Sequence, residues 1–169
     1  DGCGRSLRRL SVCQAAVFFF MSLCLHLPAM AAYYGQYGQD QYVNETYFHN
    51  MKDGTFVEIG AFDGITASNT YFFEKELRWQ GICVEPNPEV FDRLRQNRKC
   101  LCVQGCVSDK SGEAKYLYLS QAAVLGGLIE KYDPRDVENL NRELQEAGGY
   151  SKEISVQCYT FNDLMKRNG

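Results

Sequence analysis

The sequence has little proline, little histidine and no block of basic residues beyond its first nine positions. Four prolines and 13% aromatic residues among 169 exclude collagen-like and disordered compositions, because so many aromatic side chains indicate a packed interior. Eighteen basic and 21 acidic residues give a net charge of −3, so a nucleic-acid partner is not expected. The length and composition predict a single folded, acidic domain.

The sequence also lacks an uninterrupted apolar run of membrane-spanning length. The stretch from Ala15 to Leu25 has 11 residues, and extending it over 10–27 admits a glutamine and a histidine, whereas a spanning helix needs about 20 apolar residues. Arginines precede this stretch, and a triplet at 29–31 with small residues at its first and third positions follows it, as in a secretory signal peptide. We interpret residues 1–31 as a signal peptide or as a membrane anchor through 10–27, with a buried N-terminal helix as the third alternative. Either of the first two places the domain in the secretory pathway, lumenal or secreted.

Cysteine spacing typical of a zinc site is absent as well. Five cysteines follow the leader, none of them in a Cys-x-x-Cys pair: Cys83, Cys100, Cys102, Cys106 and Cys158. Because positions 100, 102 and 106 share strand parity, we expect their side chains on one face of a sheet. In a lumenal domain we favour disulfides or buried thiols over a metal site. Asn44 begins an Asn-x-Thr glycosylation triplet, which is relevant only in the same compartment.

Beyond the leader, short apolar runs alternate with helical patterns. Residues 32–53, rich in Tyr, Gly and Gln, are predicted to be a linker or lead-in segment before a domain over 54–169. The apolar runs predict strands over 55–59, 81–84 and 101–107, with two helices between them. Crossovers of this length predict a right-handed β-α-β-α-β unit whose parallel sheet has the strand order 3-2-1.

Capping residues set the predicted ends of these two helices. Ser68 is the expected N-cap of the first, which runs to Leu77 and buries Tyr71 and Phe72. Asn87 caps the second, with Pro88 in the first helical position. At the end of the second helix, Arg98 and Lys99 are expected to complement the helix dipole. The apolar stripe of this helix is expected to be buried and consists of Val90, Phe91 and Leu94.

The second half of the domain continues in the same way. A strand is predicted over 114–119, an amphipathic helix over 134–147, and a last strand over 154–159. The final helix is expected to begin with a capping box formed by Thr160 and Asp163.

The strongest local signal is the segment 57–64, Val-Glu-Ile-Gly-Ala-Phe-Asp-Gly. A strand that ends in a glycine turn and opens a helix brings backbone N–H groups close to a ligand. Glu85 lies 21 residues past Gly64 at the end of the next predicted strand, where a carboxylate accepts hydrogen bonds from ribose hydroxyls. Phe62 and Ile65 stand where a dinucleotide fingerprint has glycines, so an NAD or nucleotide-sugar site is disfavoured.

Two further carboxylates select among nucleoside cofactors. Glu58 and Asp63 place negative charge where it repels a pyrophosphate and attracts an ammonium or sulfonium group. S-adenosylmethionine, a nucleoside joined to an amino acid through a sulfonium, meets that description. The alternative is a tight turn without a ligand and a solvated carboxylate at the end of a strand.

Several motifs resemble the FkbM-type methyltransferase family. They are Phe56-Val-Glu-Ile-Gly-Ala-Phe-Asp-Gly64, Ser68-Asn-Thr70 and Gly81-Ile-Cys-Val-Glu-Pro-Asn-Pro88, flanked by Gly38-Gln-Asp40 and Cys158-Tyr-Thr-Phe-Asn-Asp-Leu164. The resemblance implies a Rossmann-like, class I methyltransferase fold of α/β type with a parallel sheet. It also implies a cofactor, S-adenosylmethionine, and O-methylation of a sugar-containing or other small hydroxylated acceptor.

The resemblance implies roles for individual residues. Glu58, Gly60, Asp63 and Gly64 would line the methionine side of the cofactor, Glu85 would hold the ribose, and Asp109 would lie near the adenine. No catalytic base is assigned, because His49, the only histidine beyond the leader, has no partner that indicates catalysis.

In the family, the helix that corresponds to the region after Thr160 precedes another core strand, so the sequence resembles the front half of the domain, C-terminally truncated. The second functional hypothesis is a non-catalytic, membrane-anchored interaction module of the secretory pathway with the same fold.

Overall fold

The computed structural model describes residues 32–168. The predicted signal peptide or anchor, residues 1–31, lies outside the described residues. Within 32–168, the helices are too short or too polar to cross a bilayer.

A three-stranded parallel sheet is built from β1 (Thr55–Ile59), β2 (Gln80–Glu85) and β3 (Leu101–Gln104). Its order, β1-β2-β3, and its parallel register confirm the predicted 3-2-1 arrangement. Strand alternation divides the apolar side chains between two faces. Phe56, Cys83 and Cys102 pack on one face, while Val57, Val84 and Val103 pack on the other.

Helix α2 (Tyr71–Leu77) connects β1 to β2 and begins two residues later than expected, with Thr70 rather than Ser68 at the N-cap. The hydroxyl of Ser68 does accept a hydrogen bond from the backbone N–H of Tyr71, but it also donates to Glu58, so Ser68 belongs to the loop. Phe72, rather than Tyr71, leads the buried face, followed by Phe73 and Leu77. Tyr71 is partly buried, so its predicted burial is confirmed only in part.

Helix α3 (Pro88–Asn97) connects β2 to β3 as predicted. The side chain of Asn87 accepts hydrogen bonds from the backbone N–H groups of Glu89 and Val90, at 3.1 and 3.4 Å. The predicted apolar stripe is buried against the sheet: Val90, Phe91 and Leu94.

The third predicted strand, 101–107, is divided at Gly105. β3 ends at Gln104, and β4 (Cys106–Val107) joins a second sheet. The backbone of the second sheet passes so close to Gly105 that a Cβ there would lie 2.5 Å from the carbonyl oxygen of Gln157. Cys106 therefore packs in the second sheet with Cys158, and the expectation that it shares a face with Cys100 and Cys102 is wrong.

The second sheet has the order β4-β7-β5-β6. β5 (Gly112–Leu119) pairs antiparallel with β6 (Gly127–Leu128) and with β7 (Ser151–Tyr159), whereas β4 and β7 run parallel. Short 3-10 turns at Ala123–Leu125 and Ile129–Lys131 flank β6. The strands predicted over 114–119 and 154–159 are present as β5 and β7, and each is longer than expected.

Two helices complete the chain. α4 (Pro134–Glu146) is capped by Asp133 as predicted and buries Leu144. α5 (Phe161–Asn168) covers the Val57 face of the first sheet with Leu164. The hydroxyl of Thr160 accepts the N–H of Asp163, but the Asp163 carboxylate accepts the hydroxyl of Ser111, so only half of the expected capping box forms.

The lead-in segment is folded rather than a linker. It contains α1 (Gln39–Val43) and a π-helical turn (Asn44–Phe48), and the ring of Tyr33 packs 4.3 Å from that of Phe72. Asn44 is buried, and its amide donates hydrogen bonds to the Tyr33 hydroxyl and to Asn50 Oδ1. The folded domain therefore does not present Asn44 for glycosylation, which corrects the expectation drawn from its triplet.

Candidate functional site

The glycine loop and Glu85 meet at the carboxyl edge of the first sheet. The backbone N–H groups of Gly60 and Ala61 both donate to the carbonyl of Val84, at 2.9 and 3.0 Å, which ties the loop to β2. The N–H of Phe62 donates to Glu85 Oε2 at 3.0 Å across 23 residues of chain. Ligands of open α/β sheets bind at this edge.

Gly60 is the open part of the loop. Its φ of +73° lies in the left-handed region, and a Cβ at this position would meet nothing within 4 Å. The residue is exposed. Glycine is therefore required by the turn itself, and the backbone is accessible to a ligand from outside.

Glu85 is a buried carboxylate held by backbone groups. It is 6% exposed, and Oε1 accepts the N–H of Asn87 at 2.9 Å while Oε2 accepts that of Phe62. Burial raises the pKa of Glu85 even though these two hydrogen bonds favour the charged form. Among residues 32–168, no lysine or arginine acts on its charge.

Asp63 organises the turn that follows the loop. Its carboxylate accepts the backbone N–H groups of Ile65 and Thr66 and the hydroxyl of Thr66, at 2.8 to 3.0 Å. Burial opposes its ionisation, but these hydrogen bonds outweigh burial and lower the pKa of Asp63. The predicted site residue is therefore an ionised carboxylate at the rim of the loop.

Glu58, on the neighbouring strand, is enclosed by its own chain. The carboxylate accepts hydrogen bonds from three groups of the segment 68–70: the Ser68 hydroxyl, the Asn69 N–H and the Thr70 hydroxyl. Arg98 Nη1 lies 3.0 Å from Glu58 Oε2 and forms a buried ion pair with it. The charge of Glu58, expected to attract a cationic ligand, is compensated by Arg98.

Arg98 is the residue that sequence reasoning misplaced. Its side chain is fully buried rather than lying at the exposed end of α3, and it also binds Glu74, with Nε to Oε2 at 2.7 Å. Nη1 donates to the carbonyl of Gly64 at 3.2 Å, so Arg98 holds the far end of the glycine loop. The signal for this role was Glu58 itself, because a buried strand carboxylate needs a cation or several hydrogen bonds.

Gly64 serves packing rather than ligand access. Its φ is +83°, and a Cβ there would lie 2.6 Å from Arg98 Cγ and 2.8 Å from Leu94 Cδ1. The glycine allows Arg98 to pass beneath the loop. The structure thus places the two predicted loop glycines in different surroundings, Gly60 in open space and Gly64 in a packed interior.

Asp109 lies on the loop between β4 and β5 and is exposed. The hydroxyl of Ser108 and the charge of Lys131, whose Nζ lies 3.9 Å away, lower the pKa of Asp109. These partners do not connect Asp109 to the glycine loop. His49 is also exposed, at the end of the π-helical turn, and residues 32–168 contain no cluster of side chains suited to a metal ion.

Cavities lie at both ends of the strands of the first sheet. One of about 430 Å³ opens beside the carboxyl ends of β2 and β3, where Pro86, Pro88 and Gln104 line it together with residues 154–157. Another, of about 730 Å³, lies at the opposite edge, where the strands begin, and is lined by Thr55, Gln80 and Leu101 among others. Although it is smaller, the first cavity is lined by Pro86, the residue after Glu85, and lies at the edge where sheets of this type bind ligands.

Comparison with known proteins gives one match. The model of the methyltransferase FkbM domain matches residues 58–169, a range that contains the glycine loop, Glu85 and Asp109. No curated protein and no solved structure matches the chain. The chain belongs to the FkbM methyltransferase family, and the domain is therefore a methyltransferase domain.

Proposed function

We propose that this member of the FkbM methyltransferase family transfers a methyl group from S-adenosylmethionine to a hydroxyl oxygen of a small, sugar-containing or otherwise hydroxylated acceptor. The fold we assign to it is the Rossmann-like, class I methyltransferase fold, of which the parallel sheet β1-β2-β3 is the cofactor-binding part. The observation that carries the proposal is Glu85, a buried carboxylate without a cationic partner among the described residues, beside the open loop at Gly60.

The chemistry of Glu85 suits the ribose of such a cofactor. A carboxylate has two oxygens with two acceptor positions each, and each oxygen of Glu85 accepts one backbone N–H. One position on each oxygen stays available, which matches two adjacent ribose hydroxyl donors. A hydroxyl pair adds hydrogen bonds to the buried charge without requiring a second buried ion.

The two carboxylates at the loop also favour a cationic ligand over a phosphate. The pKa of Asp63 is lowered, so its carboxylate is ionised at neutral pH at the rim of the loop. Glu85 adds negative charge on the other side of Phe62. Arg93 offsets part of this charge, because it acts on Asp63 and lies over the Phe62 ring. The charge of Glu85 has no such cation and attracts a sulfonium or an ammonium group rather than a pyrophosphate.

The loop is held at both ends, which limits its motion around a ligand. Phe62 is bound to Glu85, and Gly64 is bound through its carbonyl to Arg98. When bound, S-adenosylmethionine supplies an electrophilic methyl group on its sulfonium. The contribution of these residues is orientation of the bound molecule, and orientation accounts for much of the rate in a transfer of this kind.

Calorimetric titration of S-adenosylmethionine into the full chain tests the proposal. We expect saturable binding that Glu85→Gln weakens about tenfold, because loss of a charged hydrogen-bond acceptor costs about 1.4 kcal/mol or more. Glu146→Gln, at the exposed end of α4, is the matched control and leaves binding unchanged.

Two outcomes contradict the proposal. One is a folded chain that binds no S-adenosylmethionine, which would instead fit the non-catalytic interaction module. The other is equal binding by the Glu85→Gln variant and the unmodified chain, which would place the ligand away from Glu85.

A further inference from the structure

We propose that Cys83 and Cys100 are a redox-active pair that forms a reversible disulfide on reaction with a small-molecule disulfide such as oxidised glutathione. The two thiols come from different elements of the first sheet. Cys83 lies in the middle of β2, and Cys100 directly precedes β3. The proposal does not depend on the methyltransferase function.

The geometry places the two sulfur atoms within reach of each other. Their Sγ atoms lie 3.4 Å apart, although 17 residues separate them in the chain. A disulfide bond is about 2.0 Å long, so roughly 1.4 Å of approach closes it. Cys83 is paired in register with Cys102, and Cys100, two residues before it, packs in the same cluster as Cys83.

Only one of the two thiols is open to a reagent. Cys83 is 0% exposed, whereas Cys100 is half-buried. Cys100 also lines the cavity of about 730 Å³ at the start of the strands, next to Lys99 and Glu74. A cavity of this volume admits a molecule of the size of a small peptide disulfide, so the reagent reaches Cys100 first.

The surroundings of the pair favour the same order. The hydrogen bond with Cys83 and the charge of Arg98 lower the pKa of Cys100. Burial and the charge of Glu74 act in the opposite direction, but the pKa of Cys100 is lowered overall. The hydrogen bond with Cys100 and burial both raise the pKa of Cys83. Cys100 is therefore the thiol that ionises and attacks, and Cys83 is the thiol that resolves.

The reaction has two balanced steps. The Cys100 thiolate attacks one sulfur of the reagent disulfide, which forms a mixed disulfide and releases one glutathione thiolate. Cys83 then attacks Cys100 Sγ, and the second glutathione leaves as a thiolate that takes up the proton of Cys83. The protein loses two hydrogens as the pair is oxidised, and one glutathione disulfide is reduced to two thiols.

The other described cysteines lack this combination of partner and access. The thiol of Cys102 lies 3.6 Å from the carbonyl oxygen of Cys100, and burial raises the pKa of Cys102 to about 11. Cys106 is paired in register with Cys158 in the second sheet, and burial raises the pKa of Cys106 to about 12. Cys102 and Cys106 therefore lack the low pKa that the first attack on the reagent requires.

Peptide mapping of the full chain tests the proposal. The native chain is incubated with oxidised glutathione, its remaining thiols are alkylated, and it is digested with trypsin. Cys83 lies in the tryptic peptide 79–93 and Cys100 in 100–110. We expect these two peptides to appear cross-linked and to separate after reduction with dithiothreitol.

Variants assign the cross-link to the proposed pair, since peptide 100–110 contains three cysteines. Cys100→Ser is expected to abolish the cross-link to peptide 79–93, while Cys102→Ser, the matched control, retains it. Because Cys100 is half-buried, its serine variant is expected to fold, which circular dichroism checks. The proposal is overturned if the cross-link persists in Cys100→Ser, if only the glutathione adduct of Cys100 forms, or if Cys83 is alkylated in full.

Discussion

Glu58 and Glu85 are two buried carboxylates on neighbouring strands of one sheet, and their surroundings differ. Around Glu58, every partner comes from the chain itself, including the charge of Arg98 and the hydroxyls of Ser68 and Thr70. Around Glu85, the only hydrogen-bond donors among the described residues are two backbone N–H groups. We call these the closed region and the open region.

The difference shows that two acidic residues at the same edge of a sheet need not share a function. In the closed region, the ion pair satisfies the carboxylate and supports the fold. In the open region, the raised pKa of Glu85 indicates a charge that its own chain does not fully stabilise. Such a group is suited to bind a ligand that adds hydrogen bonds or positive charge.

Arg98→Met breaks the closed region and is expected to have the largest effect. It leaves Glu58 and Glu74 without their cation, and loss of one partner of a buried ion pair costs about 3–5 kcal/mol. Urea denaturation followed by circular dichroism measures the change in the free energy of unfolding.

The exposed ion pair of Arg78 with Asp53 is the control for this variant. Its N···O distance is 2.7 Å, equal to that between Arg98 and Glu74, but both partners lie at the surface. Arg78→Met is expected to leave the unfolding transition unchanged, because water screens the pair. Equal effects of the two variants would contradict the distinction between buried and exposed pairs.

Gly64→Ala and Gly60→Ala compare the two regions at the backbone. Both glycines have positive φ, so each variant carries a backbone cost of about 1–2 kcal/mol. At Gly64 the added Cβ also meets Arg98 Cγ at 2.6 Å, which brings the expected loss to about 2–4 kcal/mol. Thermal and urea denaturation of both variants check the order, and a larger loss at Gly60 would show that the loop packs differently.

Among the variants in the closed and open regions, Glu85→Gln has the smallest expected effect on stability, about 1 kcal/mol or less, but a defined pH dependence. Because the pKa of Glu85 is raised above its ordinary value of 4.5, the folded chain binds this proton more tightly than the unfolded chain does. The free energy of unfolding therefore falls as the pH rises from 4.5 through the raised pKa. Glutamine does not titrate, so the variant lacks this fall in the free energy of unfolding. Its stability therefore rises relative to that of the unmodified chain as the pH increases from 4.5 through the raised pKa.

Urea titrations at several pH values above 4.5 measure the slope for both proteins. Parallel pH profiles of the two would mean that Glu85 keeps an ordinary pKa and that the open region is solvated. A slope that disappears when S-adenosylmethionine is added would link the open region to the proposed ligand.

Local patterns were sufficient to predict much of the first sheet and its helices. The strand order, the Asn87 cap and the apolar stripe of α3 follow from residue spacing and hydrogen-bond chemistry within a few positions of the chain. The helix of residues 134–146 is a similar case, since Asp133 and the following proline define its start. The assignment to the methyltransferase FkbM family also rests on such local motifs.

Three features could not be predicted from local patterns, because each depends on contacts that residue types and spacing do not indicate. The break at Gly105 results from close contact with Gln157 in β7. The folded lead-in results from the packing of Tyr33 on Phe72. The burial of Asn44, which a triplet motif marks as a glycosylation site, results from its hydrogen bonds to Tyr33 and to Asn50.

The sequence by itself determined that two strand ends carry carboxylates next to a glycine loop, because alternation of strands and turns is written in local residue types. Only the tertiary structure decided what those carboxylates do. Arg98, 40 residues from Glu58, passes beneath Gly64 and neutralises Glu58, whereas no such cation acts on Glu85 among the described residues. The physical reason is that burial and charge compensation depend on distances in space, and packing sets these distances independently of separation along the chain.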